Sequence, residues 1–305
     1  MGTWLEGKAP AEKIKEEVRQ EVAHYQKTKD AVPGLVAILV GDNRSSQIYV
    51  RTKEKACQAL GLWSEILRLP AETPAGELKA EIEKRNAADH IDGILVQLPL
   101  PSGLNAHEVI FWIRPDKDVD GIHPTSLGLL LENQPGLRPC TPLGIIELVK
   151  STGVKIEGSD VVIIGRSMIV GKPLAALITN ENGTVTTCHS KTRNLAQVAA
   201  RADILIAAMG KPAFVGPDFV KPGAIVIDVG TNSFSDRERI KELFGDDPKR
   251  EKDLQDKGYT VVGDVDPRAI DKAGYLTPVP GGVGLLTIAM LMRNTLEAFK
   301  RRHGF

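Results

Sequence analysis

The feature that most constrains this chain of 305 residues is a regular alternation of short, continuous apolar runs with longer amphipathic stretches. Continuous runs rich in Val, Ile and Ala are typical of strands buried on both faces of a parallel sheet. The alternation therefore predicts an α/β fold. Strands are predicted within residues 34–41, 64–70, 92–100, 160–165, 184–189, 203–210, 223–230 and 259–265, and helices at 10–27, 44–60 and 75–87.

Length and a proline-rich break predict two domains. About 150 residues per domain is a usual size, and Pro139 and Pro142 interrupt the strand–helix rhythm in the motif RPCTPLG. We predict an N-terminal α/β substrate domain over residues 1–141, a C-terminal Rossmann-like parallel sheet over 142–277, and a cleft between them. Residues 278–305 are predicted to end in a long helix that returns to the first domain, with cations in the last turn where the helix dipole favours them.

A charged segment, residues 236–258, is interrupted by Gly and Pro residues. Its pattern predicts a helix followed by an exposed excursion. The sequence assigns no chemistry to this segment.

Composition and charge argue against several classes of partner. Lys plus Arg and Asp plus Glu both number 39, so the net charge is zero, and we expect neither nucleic-acid nor membrane binding. The chain lacks an apolar stretch near the roughly 20 residues of a membrane span, and its start does not resemble a secretory signal. Its three cysteines form no CxxC pair, so we expect a cytoplasmic protein with reduced thiols. Because His123 and His189 are isolated, no metal site is expected.

The motif VVIIGRSMIVGKP indicates a nucleotide site. A buried strand is predicted to end at Gly165, and Gly171 is predicted to open a helix after a short loop. A helix N-terminus after such a strand can bind a pyrophosphate. The spacing differs from GxGxxG because Ser167 occupies the second position, so a tight strand–helix turn without a ligand remains an alternative.

The next strand end indicates which dinucleotide is bound. NAD-preferring folds place Asp or Glu there for the ribose hydroxyl, whereas residues 187–193 contain no acid and include Ser190, Lys191 and Arg193. Arg166 lies in the preceding loop. Since Arg and Ser can hold a 2′-phosphate that a carboxylate would repel, we predict NADP. The alternative is that Lys191 and Arg193 are solvent-exposed cations that contact no phosphate.

Three elements of the first domain carry polar residues suited to chemistry. Tyr49 and Lys53 are four apart on a predicted helix and share one face. Gln97 is a polar residue near the end of an apolar strand, and Asp120 is the last of three aspartates in DKDVDGIHP. A lysine with a lowered pKa beside a carboxylate and an amide suits proton transfer. The alternatives are that Tyr49 and Lys53 form an ordinary amphipathic pair, that Gln97 hydrogen-bonds a buried backbone group, and that the aspartates form a turn with a helix cap.

The motif TPVPGGVGLLT is predicted to approach a ligand closely. Pro278 and Pro280 stiffen it, while Gly281, Gly282 and Gly284 leave room for close backbone contact. A loop that only leads into the last helix is the alternative.

Together these residues resemble the bifunctional methylenetetrahydrofolate dehydrogenase/methenyltetrahydrofolate cyclohydrolase family. The similarity covers nearly the whole chain, and the motifs occur in the order typical of the family. The matching motifs are YVRTK (49–53), VQLPLP (96–101), DKDVDGIHP (116–124), RPCTPLG (138–144), GRSMIVGKP (165–173), TVTTCHSKT (184–192), KPGAIVIDVG (221–230), VVGDV (261–265) and TPVPGGVG (277–284).

The resemblance implies oxidation of 5,10-methylenetetrahydrofolate with NADP, then hydrolysis of the methenyl product to 10-formyltetrahydrofolate, in a homodimer. It implies that Lys53 is catalytic, that Gln97 keeps Lys53 placed, and that Asp120 hydrogen-bonds the pterin. The implied substrate-binding residues are Tyr49, Lys53, Val96, Gln97, Leu98, Asp120, Pro280, Gly281, Gly282, Val283 and Gly284. The implied NADP-binding residues are Gly165, Arg166, Ser167, Ser190 and Thr231.

The chain departs from the family pattern at a few positions. Leu285 and Leu286 stand where Pro and Met are usual, and Thr231 stands where Ile is common, near the expected nicotinamide. None of these positions belongs to the proposed catalytic set. Two alternatives stay open. One is a dehydrogenase without cyclohydrolase activity, and the other is a non-catalytic NADP-sensing protein.

Overall fold

The computed structural model describes residues 2–305, which divide into two compact units. One unit contains residues 2–10 and Thr141–Leu286, and the other contains Ala11–Cys140 and Thr287–Phe305. The strands are β1 (Thr3–Trp4), β2 (Gly34–Val40), β3 (Trp63–Leu69), β4 (Gly93–Val96), β5 (Asp160–Ile164), β6 (Thr184–Cys188), β7 (Ile204–Ala207), β8 (Ile225–Asp228), β9 (Asn232–Phe234), β10 (Thr260–Val262) and β11 (Tyr275–Leu276). The helices are α1 (Lys8–Lys29), α2 (Arg44–Leu60), α3 (Ala75–Ala87), α4 (Ala106–Phe111), α5 (Pro124–Leu131), α6 (Cys140–Ser151), α7 (Gly171–Asn180), α8 (Leu195–Ala199), α9 (Arg237–Phe244), α10 (Pro248–Lys257) and α11 (Val283–His303).

The unit of Ala11–Cys140 and Thr287–Phe305 is built on a parallel sheet with strand order β3-β2-β4. Every residue of the central strand β2 is buried, as its uninterrupted apolar sequence predicts. One face of the sheet packs Val36 and Ile38 against Leu78 and Ile82 of α3. The carboxyl ends of β2 and β4 therefore emerge together from a rigid core.

The other unit is built on a parallel sheet with strand order β1-β11-β8-β7-β5-β6. Ile164 of β5 lies opposite Cys188 of β6 on one side and Ala207 of β7 on the other. The chain continues from β5 to β6 on one side and then crosses back to β7 on the other, so the direction of strand addition reverses between β5 and β7. Open α/β sheets bind ligands at such a switch point. The two-domain α/β architecture predicted from the sequence, with a Rossmann-like sheet, is confirmed.

The structure differs from the sequence prediction in three places. The run at 259–265 is not a parallel strand of the large sheet, because β10 pairs antiparallel with β9 in a hairpin. The charged segment 236–258 forms two helices, α9 and α10, inside that hairpin. The domain limits also differ, because residues 2–10 and 278–286 lie with the six-stranded sheet rather than with residues 11–140, and β1 pairs with β11 in that sheet.

The long C-terminal helix begins at Val283, and its residues from Thr287 onward lie with the three-stranded sheet. Arg293 and Lys300 of this helix form ion pairs with Glu17 and Glu21 of α1, each at 2.9 Å. Within residues 2–305, no helix combines the length and the apolarity that crossing a membrane requires.

Candidate functional site

A contact between Lys53 and Gln97 organises the polar residues of the three-stranded unit. The Lys53 Nζ donates to Gln97 Oε1 at 2.9 Å. Gln97 directly follows β4, and its backbone N–H donates to the Ile38 carbonyl at 2.8 Å, so strand pairing fixes its position. Its Nε2 donates to the Leu98 carbonyl at 2.8 Å, which leaves Oε1 directed at the ammonium. The amide therefore presents an acceptor to Lys53 in one defined orientation.

Helix α2 carries Tyr49 one turn before Lys53. The helix is well defined at both ends, since Asn43 accepts the Ser46 N–H at 3.0 Å and Gly61 ends it in the left-handed region at φ +79°. Tyr49 is 43% exposed. An aromatic side chain thus stands open to a ligand on the helix face that carries Lys53.

Burial dominates the electrostatics of Lys53 and Asp120. Burial lowers the pKa of the Lys53 ammonium, while the negative charge of Asp120 opposes this shift. Burial also raises the pKa of the Asp120 carboxyl, and the charge of Lys53 opposes this shift. A lysine with a lowered pKa has more neutral amine near neutral pH, and that form can accept a proton from water.

Cys140 and Asn294 support Asp120, and the sequence analysis assigned no role to either. The buried Cys140 donates its backbone N–H to the Asp120 carbonyl at 3.2 Å and its thiol to the Val119 carbonyl at 3.2 Å. Asn294 of α11 donates to the Val119 and Arg138 carbonyls, both at 2.8 Å, and to Cys140 Sγ at 3.4 Å. Cys140 stands in the motif RPCTPLG, and Asn294 is signalled only as a polar residue in a largely apolar helix.

The three aspartates of DKDVDGIHP have different surroundings. Asp116 forms an ion pair with Arg114 at 2.8 Å on the surface. Asp118 accepts the His123 N–H at 2.8 Å and the Ser126 hydroxyl at 2.7 Å, so it holds the turn before α5. Of the three, Asp120 is the one whose charge acts on Lys53. The cluster predicted from the sequence therefore contributes one carboxylate to this set.

The carboxyl edge of the six-stranded sheet carries the predicted NADP-binding residues. The Gly165 N–H donates to the Cys188 carbonyl at 2.9 Å, and the Ala208 N–H donates to the Ile164 carbonyl at 2.8 Å. These bonds align the ends of β5, β6 and β7. The segments that follow the strands therefore share one edge and bring Arg166, Ser167, Ser190 and Thr231 there with exposed side chains.

The loop from Gly165 to Gly171 is a tight backbone cradle. A Cβ at Gly165, where φ is +139°, would lie 2.1 Å from the Ala208 carbonyl oxygen. A Cβ at Gly171 would lie 2.2 Å from the Gly165 carbonyl oxygen. Ser167 Oγ accepts from the N–H groups of Val170 and Gly171 at 3.2 and 3.4 Å, which leaves its own hydrogen free to donate. The loop fits a group that approaches backbone closely, as a phosphate does.

Two buried carboxylates hold this edge together, and the sequence analysis did not single them out. Asp228 accepts the N–H groups of Gly230, Asp264 and Val265 at 2.9, 2.8 and 2.9 Å. Burial raises the pKa of Asp228 to about 7, although the three donors favour its ionised form. Asp264 in turn accepts the N–H groups of residues 209–211 at 2.6–2.9 Å. The strand-end loops are therefore joined before any ligand binds. The only sequence signal was that both aspartates stand in quoted motifs, DVG and GDV.

The TPVPGGVG motif lies in the same unit as the cradle. Its Thr277 N–H donates to the Val226 carbonyl at 3.1 Å, and the Gly7 N–H donates to the Gly281 carbonyl at 2.8 Å. Gly281 has φ +120°, a conformation that favours glycine. Pro280, Gly281 and Gly282 form the turn, and Val283 and Gly284 begin α11.

The predicted site residues therefore fall into two sets. Tyr49, Lys53, Val96, Gln97, Leu98 and Asp120 belong to the three-stranded unit, where Val96 is the buried last residue of β4 and Leu98 is half-buried. The predicted NADP-binding residues and Pro280–Gly284 belong to the six-stranded unit.

Two family models match the chain and together span most of it. The model described as "Tetrahydrofolate dehydrogenase/cyclohydrolase, catalytic domain" matches residues 5–120. The model described as "Tetrahydrofolate dehydrogenase/cyclohydrolase, NAD(P)-binding domain" matches residues 139–303. The family predicted from the sequence is confirmed.

Individual proteins of known name agree with these matches. A bifunctional protein FolD from Koribacter versatilis (strain Ellin345) is 50% identical over 304 residues, covering 100% of this chain and 99% of that one. The crystal structure of the bifunctional enzyme FolD, methylenetetrahydrofolate dehydrogenase/cyclohydrolase, from Campylobacter jejuni has a TM-score of 0.88 and 41% identity, covering 99% of this chain and all of that one. The Trypanosoma brucei enzyme of the same name, complexed with NADP and an inhibitor, has a TM-score of 0.89 and 37% identity, with 98% of each chain covered.

Proposed function

Because the chain belongs to the tetrahydrofolate dehydrogenase/cyclohydrolase family, we propose that it oxidises 5,10-methylenetetrahydrofolate with NADP and hydrolyses the 5,10-methenyl product to 10-formyltetrahydrofolate. The observation that carries this proposal is the Lys53–Gln97 contact at 2.9 Å beside Asp120. A dehydrogenase alone would not need a half-buried lysine held in this way. The set therefore favours the bifunctional enzyme over the monofunctional one.

The residues at the carboxyl edge of the large sheet fit NADP. The Gly165–Gly171 cradle admits a pyrophosphate against backbone, and the Ser167 hydroxyl has a hydrogen to donate. Arg166 and Ser190 are exposed on that edge, and residues 187–193 supply no carboxylate to repel a 2′-phosphate. We assign the backbone of Thr231, which follows β8, to the nicotinamide end of the cofactor. When bound, NADP supplies the hydride acceptor for the oxidation.

The oxidation depends more on how the protein positions the folate than on a strong base. The tetrahydrofolate nitrogens supply the electrons that make hydride loss favourable, so the protein gains most by fixing the folate relative to the cofactor. We assign that role to the exposed ring of Tyr49, to the Asp120 carboxylate as a partner for the pterin, to Val96 and Leu98 beside Gln97, and to the turn Pro280–Gly284.

Hydrolysis requires a proton acceptor for the attacking water. The 5,10-methenyl product is a cation, and water that adds to it must lose a proton. The neutral amine of Lys53 accepts this proton at Nζ, and Gln97 Oε1 then accepts a hydrogen bond from the resulting ammonium. The Asp120 charge stabilises the same ammonium. Lys53 thus serves as the proton acceptor, with Gln97 as its positioning residue.

An absorbance assay of the purified protein tests the function. We expect 5,10-methylenetetrahydrofolate and NADP to give NADPH, with little methenyl intermediate at steady state, and separately supplied 5,10-methenyltetrahydrofolate to lose its absorbance faster than in buffer. Accumulation of the methenyl compound would identify a monofunctional dehydrogenase. NADP binding without turnover would identify a non-catalytic protein.

Replacing Arg166 with Ala is expected to reduce the preference for NADP over NAD by about tenfold or more, because a charged hydrogen bond to the 2′-phosphate is lost. The measurement is kcat/KM with each cofactor. Arg201→Ala, at another exposed arginine of the same unit, is the control and should keep the preference. An unchanged preference for NADP over NAD in Arg166→Ala would show that Arg166 does not bind the 2′-phosphate and that the cations of this edge are only solvent-exposed.

The proposal extends to location and assembly. We place the enzyme in the cytoplasm, which agrees with three buried, free cysteines. We propose a homodimer because the family resemblance implies one. Sedimentation of the purified protein tests the dimer.

A further inference from the structure

The helices α9 and α10 form a module within a hairpin. They occupy the connection between β9 and β10, which pair antiparallel with Asn232 opposite Val262. A hairpin of two three-residue strands needs only a short turn. The connection from Phe234 to Thr260 is therefore longer than the hairpin itself requires.

Arg250 of α10 makes contacts outside this connection. Its Nη1 donates to the Val261 carbonyl of β10 at 2.7 Å, and its Nη2 donates to the Val279 carbonyl at 2.9 Å. The guanidinium lies over the Phe244 ring at 3.6 Å, and its Nε is 3.3 Å from Asp247 Oδ2. The side chain is 11% exposed. One buried guanidinium therefore connects both helices of the module, the hairpin and the TPVPGGVG motif.

The contact with Val279 falls at the start of the Pro280–Gly284 turn, because Val279 directly precedes Pro280. A cavity of about 290 Å³ lies at the same place, and its lining includes Asp247, Arg250 and Pro278–Pro280. Because side chains leave this space unfilled, directional hydrogen bonds hold the motif where close packing does not.

We infer that Arg250 is a positioning residue for the Pro280–Gly284 turn, through which the α9–α10 module sets the affinity of the enzyme for folate. The inference rests on the proposed function, in which that turn borders the folate. A guanidinium suits this role because it is planar and rigid, and two of its N–H groups donate to carbonyls on two different segments.

Arg250→Gln tests this inference against a matched control, Arg237→Gln, which removes an exposed arginine of α9 that pairs with Glu251 at 3.2 Å. We expect Arg250→Gln to raise the KM for 5,10-methylenetetrahydrofolate about tenfold, because folate binding would then have to offset the free energy that this charged hydrogen bond contributes to ordering the turn. The affinity for NADPH and the kcat should stay within about twofold. Amide hydrogen exchange over residues 277–284 should become faster. The control variant should show none of these changes.

Arg250→Lys keeps the positive charge but loses the geometry of the guanidinium. It also replaces Arg250→Gln as the test if that variant does not fold. A single ammonium keeps the charge but cannot serve both carbonyls, so the rise in KM and the faster exchange should persist. Normal KM and normal exchange in either folded variant would overturn the inference. A lower melting temperature with unchanged KM would show a purely structural role and would overturn it too. Failure of the proposed function is distinguished by a wild-type protein that neither turns over nor binds tetrahydrofolate in calorimetry.

Discussion

Replacing Lys53 with Met is expected to slow the hydrolysis of 5,10-methenyltetrahydrofolate by about a thousandfold while leaving NADP binding unchanged. The methionine fills similar space but cannot accept a proton, and general-base catalysis commonly contributes about 10²–10⁴-fold. The rate is measured as the loss of methenyl absorbance under single-turnover conditions, and NADPH binding is measured by fluorescence. The loss of the lysine should therefore be visible in the second reaction without any loss of cofactor affinity.

Lys55→Met provides the matched control. Lys55 lies on the same helix, two residues later, and its side chain is exposed. Residues two apart do not share a helix face, so this variant should hydrolyse the methenyl substrate as fast as the wild type. Undiminished hydrolysis by Lys53→Met would show that Lys53 is not the proton acceptor. Tyr49 and Lys53 would then be an ordinary amphipathic pair.

The same set predicts how hydrolysis depends on pH. Burial lowers the pKa of Lys53, and the neutral amine is the form that accepts the proton. Hydrolysis should therefore increase with pH through that lowered pKa and begin to increase at a lower pH than a solvated lysine would allow. The profile of the enzyme-catalysed rate, corrected for the reaction in buffer, reports this pKa.

Local signals in the sequence were sufficient for much of the fold. The predicted helix bounds 44–60 and 75–87 are those of α2 and α3. Helix α2 ends where Gly61 adopts the left-handed conformation, and α3 begins after Pro74. Both signals act within a few residues of the helix end, so they can be recognised without tertiary information.

Strand partners were not determined by such signals. The run at 259–265 is apolar enough for a parallel sheet, yet β10 pairs with β9 because α9 and α10 bring the two short strands back together. The pairing of β1 with β11 likewise joins segments more than 250 residues apart, as Thr3 lies opposite Tyr275. An apolar run indicates a buried strand but not its neighbour.

The contacts of the candidate site likewise divide into local ones, which the sequence indicates, and long-range ones, which it does not. Tyr49 and Lys53 could be placed on one face because helical spacing is local. Cys140 and Asn294 could not be assigned to the support of Asp120, because their contacts join segments far apart in the chain. Asp228 and Asp264 carried no signal beyond their motifs, since their role consists of accepting backbone N–H groups from loops that only the folded sheet brings together.

Asp120→Asn is expected to lower kcat/KM for folate about a hundredfold in both reactions, because the neutral amide cannot provide the charged hydrogen bond proposed for the pterin. It should also move the pH profile of hydrolysis. The Asp120 carboxylate raises the pKa of Lys53, so its removal lowers that pKa further, and the rising part of the profile shifts to lower pH. Steady-state kinetics of both reactions across pH measure the two effects together.

Asp116→Asn is the control for this variant, because it removes a carboxylate of the same loop that pairs with Arg114 on the surface. It should leave folate kinetics and the pH profile unchanged. If Asp120→Asn kept wild-type folate kinetics in both reactions, Asp120 would not bind the pterin. If the rising part of the profile stayed in place or moved to higher pH, Asp120 and Lys53 would not be coupled in the working enzyme, and burial would lower the pKa of Lys53 without opposition from the Asp120 charge.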